Sequence, residues 1–364
     1  MDGAFILGTA RCGSTLVSDI LNQHPDILSL SEVFSTAASH ALLPGKMNAA
    51  RFWRGLAEPN PTGMLIGNPD EAPKEFLYGR VENPRHDPWR CPPLLAVALP
   101  HLTDRPDDLF DWLGEQVLRQ PEQSSAAHYH DAFAALARRM GRTSWVERSG
   151  GSMTATRTLA RLFPRARFVL LTRDGPDTAL SMRDYPATRY AIHMEHRLRR
   201  LGLDLLHPDR HYGRARFWPW LERLGSLVPQ QPLLDRQPDV AMAGGFWARM
   251  IRQGVEEFLH LPEGRRMYLS YEALVREPEA QIARLGRFLT GSAPEGWVAK
   301  AARLPQPRPS RAAALPEAER QRLEAACAPG TRALAALQRD HLPFQTGSRF
   351  SAKARAPSSW SSEE

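Results

Sequence analysis

The stretch from Ala4 to Asn22, Ala-Phe-Ile-Leu-Gly-Thr-Ala-Arg-Cys-Gly-Ser-Thr-Leu-Val-Ser-Asp-Ile-Leu-Asn, constrains the fold of this chain more than any other. Ala4 to Leu7 is a short apolar run of the kind that makes a buried strand, and Gly8, Gly13 and small polar residues then break it. Leu16, Ile20 and Leu21 follow at helical spacing. The segment therefore reads strand, glycine-bearing loop, helix, with Ser14 and Thr15 at the helix mouth. The first N–H groups of a helix lack intrahelical partners and lie at the positive end of its dipole, so such a mouth suits a phosphate.

One departure inside the loop bears on which phosphate ligand is meant. Gly8-Thr-Ala-Arg-Cys-Gly13-Ser14-Thr15 has the spacing of the ATP/GTP P-loop but carries Ser14 where that motif needs lysine. The positive charge sits instead at Arg11, where it can reach a phosphate held by the N–H groups of Cys12, Gly13, Ser14 and Thr15. This displaced charge resembles the 5′-phosphosulfate loop of sulfotransferases that use 3′-phosphoadenosine 5′-phosphosulfate (PAPS), in which Lys or Arg precedes a Ser-Gly-Thr/Ser-Thr/Ser run. Cys12 stands where that run has Ser; it keeps the backbone N–H and loses a hydroxyl. Taken alone, the stretch also fits a strand–turn–helix with a small-residue turn and no ligand.

Two further blocks extend the pattern. Ile27 to Leu30 reads as a second strand, with Glu32 at its end, close to the carboxyl edge where open α/β sheets bind ligands. It resembles the Glu that several sulfotransferase subfamilies place there as catalytic base; a solvated or helix-capping Glu is the alternative. Strand 144–149, helical periodicity to Phe163 and strand 167–173 form a βαβ unit, which implies a parallel sheet with right-handed crossovers. Arg173 ends that strand and Ser181 lies eight residues on, about two turns into the next helix. The run resembles the family's 3′-phosphate-binding segment, where such an Arg and Ser clasp the phosphate; Arg offers a fork of donors matched to phosphate oxygens. Trp145-Val-Glu-Arg-Ser149 is similar to the family's Glu-Lys-Ser/Thr-Pro segment with Gly150 in place of proline. Arg148 is thus a candidate for a ligand contact or a structural salt bridge. Residues 267–289 resemble the family's late strand–helix element.

Elsewhere the sequence says less. Residues 59–106 are rich in proline and glycine and read as long ordered loops, flanked by helical patterns at 49–56, 109–118 and 129–140. Residues 36–143 could form an acceptor-binding cap or serve as scaffold, and His101, His128 and His130 within them are alternative candidates for a base. His24 reads as structural. Residues 190–238 read as irregular, with a basic helical piece at 194–206 and Phe217, Trp218 and Trp220 as core or pocket aromatics. A helix at 246–259, two short helices over 316–339 and a disordered Ser-rich tail complete the reading.

The net charge of +7 suits an anionic partner, but the arginines are scattered, with no basic stripe interleaved with aromatics of the kind nucleic acid needs. Three widely spaced cysteines support neither a disulfide framework nor a zinc site. There is no apolar run of membrane-spanning length and no signal-peptide layout, so the expected compartment is the cytoplasm.

The resemblance covers residues 4–34, 144–185 and 267–289. It implies an α/β, P-loop-like three-layer fold with a central parallel sheet, in one domain over 1–345 with insertions at 36–143 and 190–240. The implied activity is sulfuryl transfer from PAPS to a hydroxyl or amine of a small-molecule or carbohydrate acceptor, without a metal. Glu32 would be the base. Arg11, Cys12, Gly13, Ser14 and Thr15 would hold the 5′-phosphate, with Arg11 also aiding catalysis, and Arg173 and Ser181 the 3′-phosphate. A P-loop phosphotransferase and a non-catalytic nucleotide- or nucleic-acid-binding protein are the rivals. The sequence does not name the acceptor or the oligomeric state.

Overall fold

The apolar runs become strands: β1 (Ala4–Gly8), β2 (Ile27–Ser31), β5 (Ser144–Arg148), β6 (Arg167–Thr172) and β7 (Arg266–Ser270), with a two-residue pair, β3 (Lys46–Met47) and β4 (Gln123–Ser124), apart from them. The computed structural model describes residues 3–66, 70, 75–207 and 231–341, so Phe217, Trp218, Trp220 and the Ser-rich tail lie outside the described residues. The five longer strands form a parallel sheet in the order β2-β5-β1-β6-β7. The fold is therefore α/β around a central parallel sheet. β1, with strands on both sides, is buried along its whole length, which is why it reads as an unbroken apolar run.

Period-two alternation divides the strand side chains between two faces. Phe5, Leu7, Leu28, Leu30, Phe168 and Leu170 point to one, and Ala4, Ile6, Ile27, Val169, Leu171 and Leu269 to the other. On the first face Phe5 lies among Phe34, Trp145, Phe163 and Phe168, with ring centroids 5.0 to 6.0 Å away. The second face is covered by Val17, Ile20 and Leu21 of α1 (Ser14–Asn22) and by the helices Tyr271–Arg276, Pro278–Thr290 and Glu295–Ala301.

The first face is built largely from residues 36–143. Helices α2 (Val33–Ala37), α3 (Ala49–Ala57), α4 (Pro61–Ile66), α5 (Pro93–Ala96), α6 (Pro106–Leu118) and α7 (Ser125–Arg139) lie in this part of the chain. From them Phe34, Phe52, Leu95, Leu113, Tyr129 and Phe133 enter the core. These side chains of the stretch pack on the sheet. The helical patterns at 49–56, 109–118 and 129–140 become α3, α6 and α7, whereas α4 and α5 are too short and proline-bound to leave a period.

Three helices complete the middle of the chain: α8 (Thr156–Leu162), α9 (Gly175–Asp184) and α10 (Pro186–Arg200). α10 occupies a stretch whose start reads as irregular and whose helical pattern reads from 194; it ends at Arg200. In place of two short helices over 316–339 there is one, Glu317–His341, with Pro329 inside it. An internal proline removes a helical hydrogen bond and crowds the preceding turn. Here Leu323, Cys327, Leu334 and Leu337 join the core together with the helix Val240–Leu259, and this packing keeps both halves in line. Gly330 lies flush against that helix: a Cβ there would come 2.7 Å from Trp247 Cζ3. The same indole closes on Gly175 at the start of α9, where a Cβ would come 2.6 Å from Cη2.

Among the described residues, no helix is long and apolar enough to cross a membrane.

Candidate active site

All five sheet strands are parallel, so their carboxyl ends share one edge. The crossover from β1 to β2 runs through α1 on one face, and that from β5 to β6 runs through α8 on the other, with Met153 and Leu159 in the core there. The two leave in opposite directions along the sheet, as right-handed crossovers on opposite faces must. Such a reversal marks the place on the carboxyl edge where open α/β sheets bind ligands, here beside β1.

The loop after β1 lies at that edge and leads into α1. Gly13 has φ 94°, left-handed, and its α-carbon abuts Tyr271, the residue after β7; a Cβ would come 2.5 Å from Tyr271 Cδ2. Only glycine meets both demands without strain. Among the described residues no side-chain hydrogen bond caps α1 at Gly13, and the Ser14 N–H lies within reach of the Cys12 sulfur. Cys12 is fully buried in the core beneath the loop, and burial pushes its thiol up to about 11. The hydroxyl lost by having Cys rather than Ser is therefore lost from the core side, while the backbone N–H stays in the loop.

Arg11 also takes a left-handed backbone, φ 66°. Its Nε donates to Ser181 Oγ at 3.1 Å, its Nη1 meets Glu75 Oε1 at 2.5 Å, and its guanidinium lies 4.9 Å from the centre of the Tyr185 ring. Arg173 follows β6. Its guanidinium covers the Tyr271 ring at 4.7 Å and comes within 4.0 Å of Asp177 Oδ2. Arg173 and Ser181, expected as a pair, thus each contact a different partner: Ser181 holds Arg11, and Tyr271 connects Arg173 to Gly13. Asp177 Oδ1 in turn accepts from Ser310 Oγ at 3.0 Å and from the Ala312 N–H at 2.9 Å.

Glu32 follows β2 with φ 59°, and its N–H donates to the Arg148 carbonyl at 2.7 Å. The carboxylate is held by three donors. Oε1 meets Arg148 Nη1 at 2.5 Å, while Oε2 accepts from the Gly150 N–H at 2.8 Å and from the Ser35 hydroxyl. Arg148 Nη1 also donates to Ser14 Oγ at 3.2 Å, so this guanidinium joins the loop after β1 to Glu32. Arg148 Nε is buried and has no hydrogen-bond partner among the described residues.

Behind Glu32 lies a second acid. Glu147, on β5, is wholly buried, and burial is the main reason its carboxyl is pushed up to about 8. Ser149 Oγ donates to Glu147 Oε1 at 2.5 Å and accepts from the Phe34 and Ser35 N–H groups at 3.0 and 3.2 Å. This fixes the start of α2 and so the turn that carries Glu32. A carboxylate within the run Trp145-Val-Glu-Arg was a readable signal for such a buried group. Glu75 left none, because the proline-rich stretch that brings it to Arg11 has no period.

The histidines divide. His128 is buried, stacked on Phe52, with one ring nitrogen 2.5 Å from Gln120 Oε1 and the other 2.9 Å from the Met47 carbonyl. His130 pairs with Asp131 on α7 at 3.5 Å. His101 Nε2 lies 3.3 Å from Ser18 Oγ, and burial, aided by the Arg148 charge, pushes it down to about 4. It is neutral at pH 7 and a weak base. His24 is buried edge-on to Trp297 and accepts from the Asp26 N–H at 3.1 Å. No cluster of His, Cys, Asp and Glu suited to a metal occurs among the described residues.

No family model and no curated protein matches the sequence. Among solved structures, a sulfotransferase from Mycobacterium avium is similar at 15% identity over 93% of this chain and 76% of its own, with a TM-score of 0.43. The sulfotransferase domain of the Synechococcus PCC 7002 olefin synthase is similar at 17% identity over 83% of this chain and 77% of its own, TM-score 0.39. A sulfotransferase from Alicyclobacillus acidocaldarius is similar at 16% identity over 93% and 95%, TM-score 0.39.

Proposed function

We propose that this protein transfers a sulfuryl group from PAPS to a hydroxyl or amine of a small-molecule or carbohydrate acceptor. The observation that carries the proposal is the Arg11–Ser181 contact at 3.1 Å. It joins the phosphate loop after β1 to the helix after β6, 170 residues apart, so two anion grips become one elongated site. The residues fit a doubly phosphorylated nucleotide. Among the described residues no side chain caps the helix mouth and the buried donor Arg148 Nε has no partner, while Arg11 and Arg173 stand at separate strand ends.

PAPS, when bound, supplies the sulfuryl group and a phosphate as leaving group. Arg11 and the N–H groups of Cys12, Gly13, Ser14 and Thr15 hold the 5′-phosphate and stabilise the charge it gains. Arg173 and Ser181 hold the 3′-phosphate. Glu32 takes the acceptor's proton as the acceptor atom attacks, its carboxylate oriented by Arg148, Gly150 and Ser35. A P-loop phosphotransferase is the second reading, favoured by the loop's spacing and opposed by Ser14 at the lysine position.

Calorimetric titration with adenosine 3′,5′-bisphosphate, ATP with Mg²⁺ and duplex DNA tests the choice. Preference for the bisphosphate is expected. Preference for ATP points to phosphoryl transfer, and binding of DNA alone to a nucleic-acid partner.

A further inference from the structure

Arg11 is already partnered. Its Nη1 lies 2.5 Å from Glu75 Oε1, and both side chains are about two-thirds buried, at 30% and 32% exposure. Among the described residues Glu75 forms its ion pair with Arg11, and its charge also reaches Tyr185. The backbone that carries Glu75 is anchored directly after it: Phe76 is 1% exposed in the core, and the Leu77 N–H donates to the Ala96 carbonyl at 3.1 Å. Arg11 is held from the other side by Ser181 and the Tyr185 ring. The contact can therefore open by rotation of the Glu75 side chain, with no movement of the fold.

A phosphate at the mouth of α1 needs the guanidinium that Glu75 holds. If the carboxylate stayed, two like charges would share one cation at close range, which raises the energy of the bound state. We propose that Glu75 is a built-in competitor for the phosphate site: its carboxylate occupies Arg11 until a phosphate displaces it, and reclaims Arg11 as the phosphate leaves. The competition weakens ground-state binding and speeds release of a product that would otherwise keep a dianion on both an arginine and a helix mouth. The inference concerns the anion grip of the site just described and rests on that reading only for which nucleotide fills it.

The test compares wild type, Glu75→Gln, Glu75→Ala and, as a control for loss of charge alone, Glu82→Gln at an exposed position in the same part of the chain. Affinity for inorganic pyrophosphate and adenosine 3′,5′-bisphosphate is measured by calorimetry, and bisphosphate dissociation by stopped flow. Both Glu75 variants are expected to bind both ligands roughly five- to tenfold tighter, mainly through slower dissociation, with Glu82→Gln unchanged. Unchanged or weaker pyrophosphate binding in both Glu75 variants, or an equal gain in Glu82→Gln, overturns the proposal. Tighter pyrophosphate binding in a protein that shows no preference for the bisphosphate would overturn the sulfotransferase reading and uphold the competitor. A bisphosphate preference with no gain on losing Glu75 would do the reverse.

Discussion

Arg173 and Glu32 divide the work of the proposed site between selectivity and chemistry. The Arg173 guanidinium lies on an aromatic face, with Asp177 Oδ2 no closer than 4.0 Å, so it retains donors for the proposed 3′-phosphate. Arg173→Ala should cost about 1.5–3 kcal/mol, roughly one to two decades in affinity for adenosine 3′,5′-bisphosphate, and change adenosine 5′-monophosphate binding by about twofold at most. Calorimetry on the two ligands decides, and equal losses would take Arg173 out of the 3′ grip. For Glu32→Gln, turnover should fall by about 10²–10⁴-fold while bisphosphate affinity stays close to wild type. The amide keeps an oxygen for Arg148 but cannot take a proton. Near-full turnover in that variant, with loss of turnover in His101→Ala, would move the base to His101 even though burial makes it weak there.

At the scale of elements, β5 carries a titration that the whole fold should feel. The Glu147 carboxyl keeps its proton up to about pH 8 when folded, against an ordinary value of 4.5. Between those values the native state binds more protons than the unfolded chain, so stability falls as pH rises through that window. The melting temperature of the wild type should decline from about pH 5 to about pH 8, and Glu147→Gln should flatten that slope; an unchanged slope would mean that Glu147 does not control it. The five longer strands, their parallel direction and the positions of Arg11, Glu32 and Arg173 were legible because each of these residues lies at a strand–helix junction a few residues from an apolar run, and Ser181, about two turns into the next helix, was legible from its spacing to Arg173. The contacts that complete the cluster were not. Arg11 reaches Glu75 across 64 positions, and Tyr271 closes on Gly13 from the opposite end of the chain, so no local spacing encodes either. The helix Glu317–His341 was hidden for a related reason: Pro329 reads as a break, and only tertiary packing overrides it.

For the whole molecule, the two glycines on the Trp247 indole matter most. In an open helix, replacing glycine by alanine stabilises by about 1 kcal/mol. At Gly330 the added methyl would meet Trp247 Cζ3 at 2.7 Å and Ala248 Cα at 2.9 Å. Gly330→Ala should therefore destabilise, by about 1–3 kcal/mol, with a lower melting temperature as the readout. The displaced indole also abuts Gly175, which opens the helix that bears Ser181. Asp177 on that helix is held by Ser310 and Ala312, and its other oxygen faces Arg173. The helix that holds Gly330 is in this sense a tuning screw for the loop after β1: one methyl added at position 330 would be felt as a looser hold on the nucleotide proposed for that loop.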